Sequence, residues 1–317
     1  MKGDADMVWF WISLIVLVLI LAGAFVCFYL AFYSPARSAE KMEAERLIPG
    51  KIYEPYHADF ERWYQEVQTL PQEKWSVVTP DGLTLRGKYY PLSPDAPLEI
   101  LFHGYRGFSD RDMSGAVQRC FSVGHSALLV DQRAGGYSDG HIITFGLRES
   151  EDVALWACEA VHRLGEDVTI YVGGVSMGAT TVLMASAKEL PPQVRGVLAD
   201  CGYTNARDII KKVIRQMKLP AAPLYPLVRL GALIFGGFDP NEADATKAVQ
   251  KSRLPILFYH GDTDDFVPCE MSRINYDACT SPKRMVVISG AGHGLCYPVD
   301  PDGYVAALKE FEAEHWK

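Results

Sequence analysis

The sequence predicts an α/β fold: a mostly parallel sheet covered by helices on both faces, carried behind one N-terminal transmembrane helix. Three observations predict it. Beyond Trp75, short runs rich in β-branched and aromatic residues alternate with helical patterns, the order that builds a parallel sheet from strand, helix and strand. Most of these runs are apolar throughout, as strands buried on both faces must be. Ahead of them, the stretch from Met7 to Tyr33 holds no charged residue.

That stretch is the first element. Val8 through Phe32 is nearly all Trp, Phe, Ile, Leu, Val and Ala, and a helix crosses a bilayer with about 20 apolar residues. Trp9 and Trp11 at one end and Tyr29 and Tyr33 at the other suit the two interfacial belts. A cleaved secretory leader is the competing reading, with Ala36-Arg37-Ser38 as its cleavage site. The apolar run exceeds the core of such a leader, and Asp4 and Asp6 accompany its single Lys2, so residues 1–34 read as an anchor. Lys2 precedes the span, whereas Arg37, Lys41, Arg46 and Lys51 follow it. The positive-inside rule then places the bulk of the chain on the cytoplasmic side.

Residues 35–74 read as a helical connector. Ala36–Leu47 is rich in Ala, Glu, Lys and Arg, Pro49-Gly50 ends it, and His57–Val67 sets Phe60, Trp63, Tyr64 and Val67 on one helical face. That face carries acidic neighbours and few basic ones, which favours packing on the main domain over lying on lipid headgroups.

Residues 75–317 form the main domain. Trp75–Val78 and Leu83–Tyr90 flank Asp81-Gly82, a turn between two strands. The later strand runs are Leu98–Phe102, Ala127–Asp131, Val168–Gly173, Val194–Ala199, Pro255–Tyr259 and Met285–Ile288. Helical stretches separate them at Glu149–Arg163, Ala179–Lys188, Ala206–Lys218 and Ala245–Lys251. Ligand sites in such sheets lie at the carboxyl ends of the strands, and His103, Asp131, Ser176, His260 and His293 all fall there.

Composition narrows the function. A net charge of -8 with no long basic run argues against a nucleic-acid surface. The seven cysteines, Cys27, Cys120, Cys158, Cys201, Cys269, Cys279 and Cys296, are odd in number and show no C-x-x-C spacing. They read as free thiols in a reducing compartment. The eight histidines include no H-E-x-x-H, so neither a metal nor any other cofactor is expected.

The chemistry centres on Gly174-Val175-Ser176-Met177-Gly178, a G-x-S-x-G between an apolar run and a helical segment. A serine turned sharply from a strand end into a helix needs small residues two before and two after it. The helix that follows would aim free N–H groups at developing negative charge. A serine hydroxyl also needs a base, which in turn needs an orienting acid. The best base is His293, in the glycine-rich loop Gly290–Gly294 after the last strand. His103 and His260, each followed by glycine, read as structural. Asp262, Asp264 and Asp265 all lie between the serine and His293, and composition does not choose among them.

His260-Gly261-Asp262-Thr263-Asp264-Asp265-Phe266-Val267-Pro268 resembles the HG-x-x-D-x-x-V-P segment of α/β-hydrolases. Phe102–Gly107 is similar to the oxyanion loop of those enzymes, and Gly174–Gly178 to their nucleophile elbow. Together with the His293 loop, these motifs run in the order of that superfamily over about residues 75–317. The resemblance implies the α/β-hydrolase fold, Asp264 as the acid, and backbone N–H groups of Tyr105 and Met177 as the oxyanion hole. Asp131–Ser138 resembles D-x-R-G-H-G-x-S, but Gly135 stands where histidine is common. Within the superfamily the chain is similar to bacterial membrane-anchored hydrolases grouped with serine aminopeptidase-like and monoacylglycerol-lipase-like sequences.

An insertion at about residues 203–252 reads as a small helical cap. It holds an amphipathic helix, Asn205–Lys218, and Leu224–Phe238, apolar apart from Arg229. An apolar cover over the serine suggests an acyl or otherwise hydrophobic substrate. The competing reading has Leu227, Val228, Leu230, Leu233, Ile234 and Phe235 simply packing against the domain. The functional expectation is a membrane-anchored serine hydrolase cleaving carboxylic esters, with small-molecule substrates and lipid around its anchor as partners. A peptidase acting on short peptides is the second reading, and a catalytically silent membrane-attached binding protein the third.

Overall fold

The computed structural model describes residues 2–316. The N-terminal segment is a single helix, α1 (Lys2–Ala31), and from Ala5 to Ala31 it is long and apolar enough to cross a bilayer. Side chains from residue 5 to residue 20 are exposed along every face. The last turns are not. Ala24, Phe28 and Phe32 recur every fourth residue on one buried stripe, the spacing of a single helical face.

The connector is shorter in helix than its composition implies. Only α2 (Ala39–Ala44) forms, because Pro35 precedes it and the Ser38 hydroxyl caps it by accepting from the Lys41 N–H. The second predicted helix is α3 (His57–Thr69), and its Phe60, Trp63, Tyr64 and Val67 are buried on the main domain. Trp63 lies so close to Gly115 that a Cβ there would sit 2.6 Å from the ring.

The main domain is an eight-stranded sheet in the order β1-β2-β4-β3-β5-β6-β7-β8. In chain order its elements are β1 (Glu73–Val78), β2 (Thr84–Tyr90), β3 (Leu98–Phe102), α4 (Ser109–Asp112), α5 (Ser114–Val123), β4 (Ser126–Asp131), α6 (Glu149–Leu164), β5 (Ile170–Val175), α7 (Met177–Ala185) and β6 (Val194–Asp200). The cap follows as α8 (Ala206–Gln216), α9 (Ala221–Gly231), one wide turn at Ala232–Gly236, and α10 (Ala245–Val249). The chain closes with β7 (Ile256–Gly261), α11 (Cys269–Ala278), β8 (Lys283–Ile288), α12 (Cys296–Val299) and α13 (Pro301–His315). β1 and β2 run antiparallel at one edge, and β4, β3, β5, β6, β7 and β8 are mutually parallel.

Strand alternation divides the core. Ile100, Val130, Val172 and Phe258 face α6 and α7, while Leu101, Tyr171, Leu257 and Tyr259 face α3, α5 and α13. On the second face a charged cluster is buried in the apolar layer. Arg119 on α5 holds Glu99 of β3 at 2.7 and 3.0 Å, and His125 bridges Glu99 at 2.7 Å to Glu312 of α13 at 2.9 Å. Burial opposes both charges, but the Arg119 charge and the His125 bond hold Glu99 down to about 2. Burial likewise opposes protonation of His125, yet its bonds to Glu312 and Glu99 raise it to about 9.

This cluster sets a pH window for stability. The raised His125 contributes fully below about pH 6.5, its unfolded value, and that contribution is lost as pH climbs through about 9. The lowered Glu99 contributes fully above about pH 4.3 and loses it as pH falls toward about 2. We expect thermal scans from pH 6.5 to pH 9.5 to show wild type losing about 5 °C more than His125→Gln. Parallel curves would show that His125 carries no stabilising proton.

Candidate active site

The turn at Ser176 is built by close backbone approach. Ser176 joins β5 to α7 at φ 57° and ψ -116°, a left-handed geometry that side chains resist. A Cβ on Gly174 would lie 2.4 Å from the Gly178 backbone, and one on Gly178 would lie 1.9 Å from the Phe102 carbonyl oxygen. Both glycines therefore permit the turn to form against β3. α7 starts at Met177, two residues earlier than its sequence pattern suggests, so the free N–H groups of its first turn open beside the serine.

The structure brings Ser176, His293 and Asp264 into one chain of hydrogen bonds. The Ser176 hydroxyl donates to His293 Nε2 at 2.9 Å, and His293 Nδ1–H donates to Asp264 Oδ2 at 2.7 Å. Asp264 Oδ1 accepts the N–H groups of Phe266 at 2.9 Å and Val267 at 2.8 Å. Burial favours the neutral acid, but the bonds from His260, His293 and Val267 overrule it and hold Asp264 down to about 2. Phe266 packs edge-on to the His293 ring at 5.0 Å.

The other two aspartates point elsewhere. Asp262 accepts from the Ser289 hydroxyl and the Gly290 N–H, pinning the base of the His293 loop. Asp265 offers its backbone carbonyl to Lys212 and Gln216.

Both histidines read as structural are buried. His103 Nε2 accepts the Gln132 N–H at 3.0 Å, so Nδ1 donates to the Gly104 carbonyl at 2.8 Å. Its ring also accounts for Gly135, where a Cβ would meet it at 2.7 Å. A side chain at Gly135 would have to displace that ring. His260 does more than hold a turn. Its Nε2 faces the Val267 carbonyl at 2.8 Å and Asp264 Oδ2 at 3.2 Å, two acceptors, so this nitrogen carries the proton and Nδ1 accepts from Ser272 at 2.7 Å. Its place at a strand end was legible; its contact with the acid required the fold.

Tyr105 lies in the loop after β3, which passes beside Ser176; a Cβ on Gly104 would be 3.6 Å from Ser176 Cβ. Tyr105 also donates its hydroxyl to the Ala31 carbonyl at 2.8 Å. Arg106, at φ 52°, donates to the carbonyls of Leu30 and Tyr33, and Arg37 donates to those of Arg106 and Gly107. Five bonds therefore tie this loop to the end of α1 and the residues just after it. Nothing in the sequence pattern signalled them.

Above Ser176 lies a cavity of about 430 Å³ whose walls are almost entirely carbon. Ile209, Ile210, Val213 and Ile214 of α8 and Val228 of α9 form one side. Cys27, Leu30 and Ala31 of α1 form another. The apolar cap segment divides between two roles. Val228 lines the cavity, Leu227 and Phe235 lie against α1, and Leu233 and Ile234 stay exposed. Donor atoms of Cys201, Asp264 and His293 lie within 4.8 Å of one another. Burial raises the Cys201 thiol well above its ordinary value, and both His293 nitrogens are already engaged. All seven cysteines are free.

Comparison with known proteins places the fold. Residues 178–295, which hold Asp264 and His293 and begin two residues after Ser176, match the serine hydrolase (FSH1) family. An esterase of Pyrococcus furiosus superposes with a TM-score of 0.65 at 20% identity, covering 80% of this chain and 94% of its own. The chain therefore has the α/β-hydrolase fold, and over residues 178–295 it is similar to serine hydrolases. Est1E of Butyrivibrio proteoclasticus, bound to ferulic acid, is similar to this chain at a TM-score of 0.58 and 22% identity, over 76% of this chain and 98% of that one. Among sequence relatives, the uncharacterised YqkD of Bacillus subtilis is 24% identical, covering 75% of this chain and 79% of YqkD. The bifunctional esterase/perhydrolase DCH of Acinetobacter calcoaceticus is 23% identical, covering 69% and 92%.

Proposed function

We propose that this chain is a membrane-anchored esterase in which Ser176, His293 and Asp264 form the catalytic triad. The observation that carries the reading is the bonded chain Ser176–His293–Asp264 at the floor of a carbon-walled cavity. Ser176 Oγ attacks the ester carbonyl carbon as His293 Nε2 takes its proton. The carbonyl oxygen, now anionic, is held by the backbone N–H groups of Tyr105 and Met177. The C–O bond to the alcohol then breaks as His293 returns the proton to the leaving oxygen. Water repeats the cycle on the acyl-serine, and the carboxylic acid leaves. Asp264 orients the imidazole and stabilises its positive charge throughout.

An apolar wall favours acyl groups over the charged termini of short peptides. The esterase names carried by the Acinetobacter and Pyrococcus proteins point the same way. The reading is tested by turnover of acyl esters of graded chain length against aminoacyl amides, with the labelled peptide mapped after fluorophosphonate treatment. We expect label on Ser176 and ester turnover at least about tenfold above amide turnover. Faster amide turnover would transfer the assignment to a peptidase, and no label would return the chain to a binding role.

The docked end of α1 supports an anchor over a cleaved leader, since Ala24, Phe28 and Phe32 are buried on the protein itself. The excess of basic residues after the span supports a cytoplasmic catalytic domain. Protease added to intact cells should leave that domain uncut; its release would reverse the orientation.

A further inference from the structure

The wall formed by α1 changes what the anchor does. Asp6 is the last charged residue before the span, and about 20 helical residues cross the roughly 30 Å of hydrocarbon. Counted from Met7, that length ends at Val26. The next residue is Cys27, the first to line the cavity over Ser176, followed by Leu30 and Ala31. On this count the cavity sits where the hydrocarbon meets the headgroups.

The cap is built for the same depth. Its wide turn packs onto α1, with Phe235 5.2 Å from Phe25 and 5.9 Å from Phe28 between ring centres. Beside this contact Leu233 and Ile234 are 44% and 50% exposed. At the cavity rim Met217 and Leu219 are 60% and 45% exposed. A soluble surface gains nothing from such a set, but one continuous with a membrane helix does. Charge agrees with depth. Residues 206–218 carry Arg207, Lys211, Lys212, Arg215 and Lys218 against one acid, Asp208, in a chain of net charge -8. Basic residues flanking an apolar rim match an anionic lipid surface.

We propose that the cavity opens into the adjacent leaflet between α1 and the cap. The substrate is then a membrane-resident lipid ester whose acyl chain slides along Cys27, Leu30 and Ala31 to reach Ser176. This rests on the reading of Ser176 as an esterase nucleophile. α1 serves as a substrate-binding wall, and through its bonds to Tyr105 and Arg106 it also braces the loop that offers an oxyanion donor.

The test uses the full chain in vesicles of phosphatidylcholine and phosphatidylglycerol. It compares a dodecanoyl glycerol ester dissolved in the bilayer with soluble p-nitrophenyl acetate. Rates are normalised to the fraction of sites that react with a small fluorophosphonate, which removes misfolded protein from the comparison. Cys27→Trp, which fills the wall, and Leu233→Asp with Ile234→Asp, which repels the bilayer, should each lower the ratio of lipid-ester to acetate kcat/KM at least about tenfold. Unmoved ratios would overturn the inference while leaving the esterase reading intact. Unmoved ratios with a change in cross-linked oligomer for the double variant would assign that face to a second copy of the chain. Ester turnover independent of Ser176 in wild type would remove the esterase reading and this inference with it.

Discussion

Ser176→Ala is expected to lower kcat on a good ester substrate by about 10⁵-fold, with thermal stability unchanged or slightly raised. The hydroxyl is bonded to His293 Nε2 at the cavity floor, so its removal takes away the bond-forming atom. Alanine keeps the same Cβ, and the φ of 57° at this turn is therefore no harder to hold. What strain the turn stores is stored in either residue. Purified variant and wild type would be compared under single-turnover conditions and by thermal scan. A variant retaining more than about a hundredth of wild-type kcat would place the nucleophile elsewhere.

Asp264→Asn should cost about 10⁴-fold in kcat, whereas Asp262→Asn and Asp265→Asn should stay within about tenfold. The difference follows from hydrogen-bond direction. Asp264 accepts four hydrogens: two from backbone N–H groups on Oδ1, and those of His293 and His260 on Oδ2. Asparagine has one accepting oxygen. With that oxygen kept on the backbone pair, the amide NH₂ faces His293 Nδ1 and selects the tautomer whose Nε2 carries the proton. Such an imidazole donates to Ser176 and takes no proton from it. Because the native carboxyl is held down to about 2, it stays ionised through the whole range in which the enzyme would be assayed. The acid limb of the rate profile therefore belongs to another group. Equal losses in the three variants would mean that the acid acts through loop structure and not through His293.

The sheet was legible because its strands are apolar on both faces and punctuated by polar residues at their carboxyl ends. Leu98–Phe102 was placed without error, and the other strands to within about two residues. Helices with weaker patterns escaped the reading. α5 offers only Val117 and Cys120 as buried apolar residues beside Arg119, whose charge is buried against Glu99. A helix that buries a salt bridge does not advertise a hydrophobic face. Ser176 and His293 were readable because each sits at a turn whose neighbours are constrained by the backbone, whereas Asp264 shares its loop with Asp262 and Asp265 and was singled out only by the resemblance to HG-x-x-D-x-x-V-P. Gly135 was readable only as an anomaly, since the His103 ring that excludes a side chain there lies on a different strand end. The role of α1 was hidden for another reason. A leucine that faces lipid and a leucine that faces a substrate cavity have the same hydropathy, so Leu30 carries no mark of which it does.

The seam between α1 and the cap has a consequence for how this protein can change over time. A Cβ on Gly231 would lie 2.2 Å from the Ala24 carbonyl oxygen and 3.0 Å from Phe28, so the two helices touch at backbone distance. Ordinary membrane tethers drift freely among apolar sequences, because any of them inserts. Here residues 24, 28 and 231 must vary together, and a borrowed span of equal length and hydropathy would insert while leaving the cap unseated. This end of α1 is packed like the interior of a domain, so a larger side chain at Ala24 or Gly231 is expected to unseat the cap.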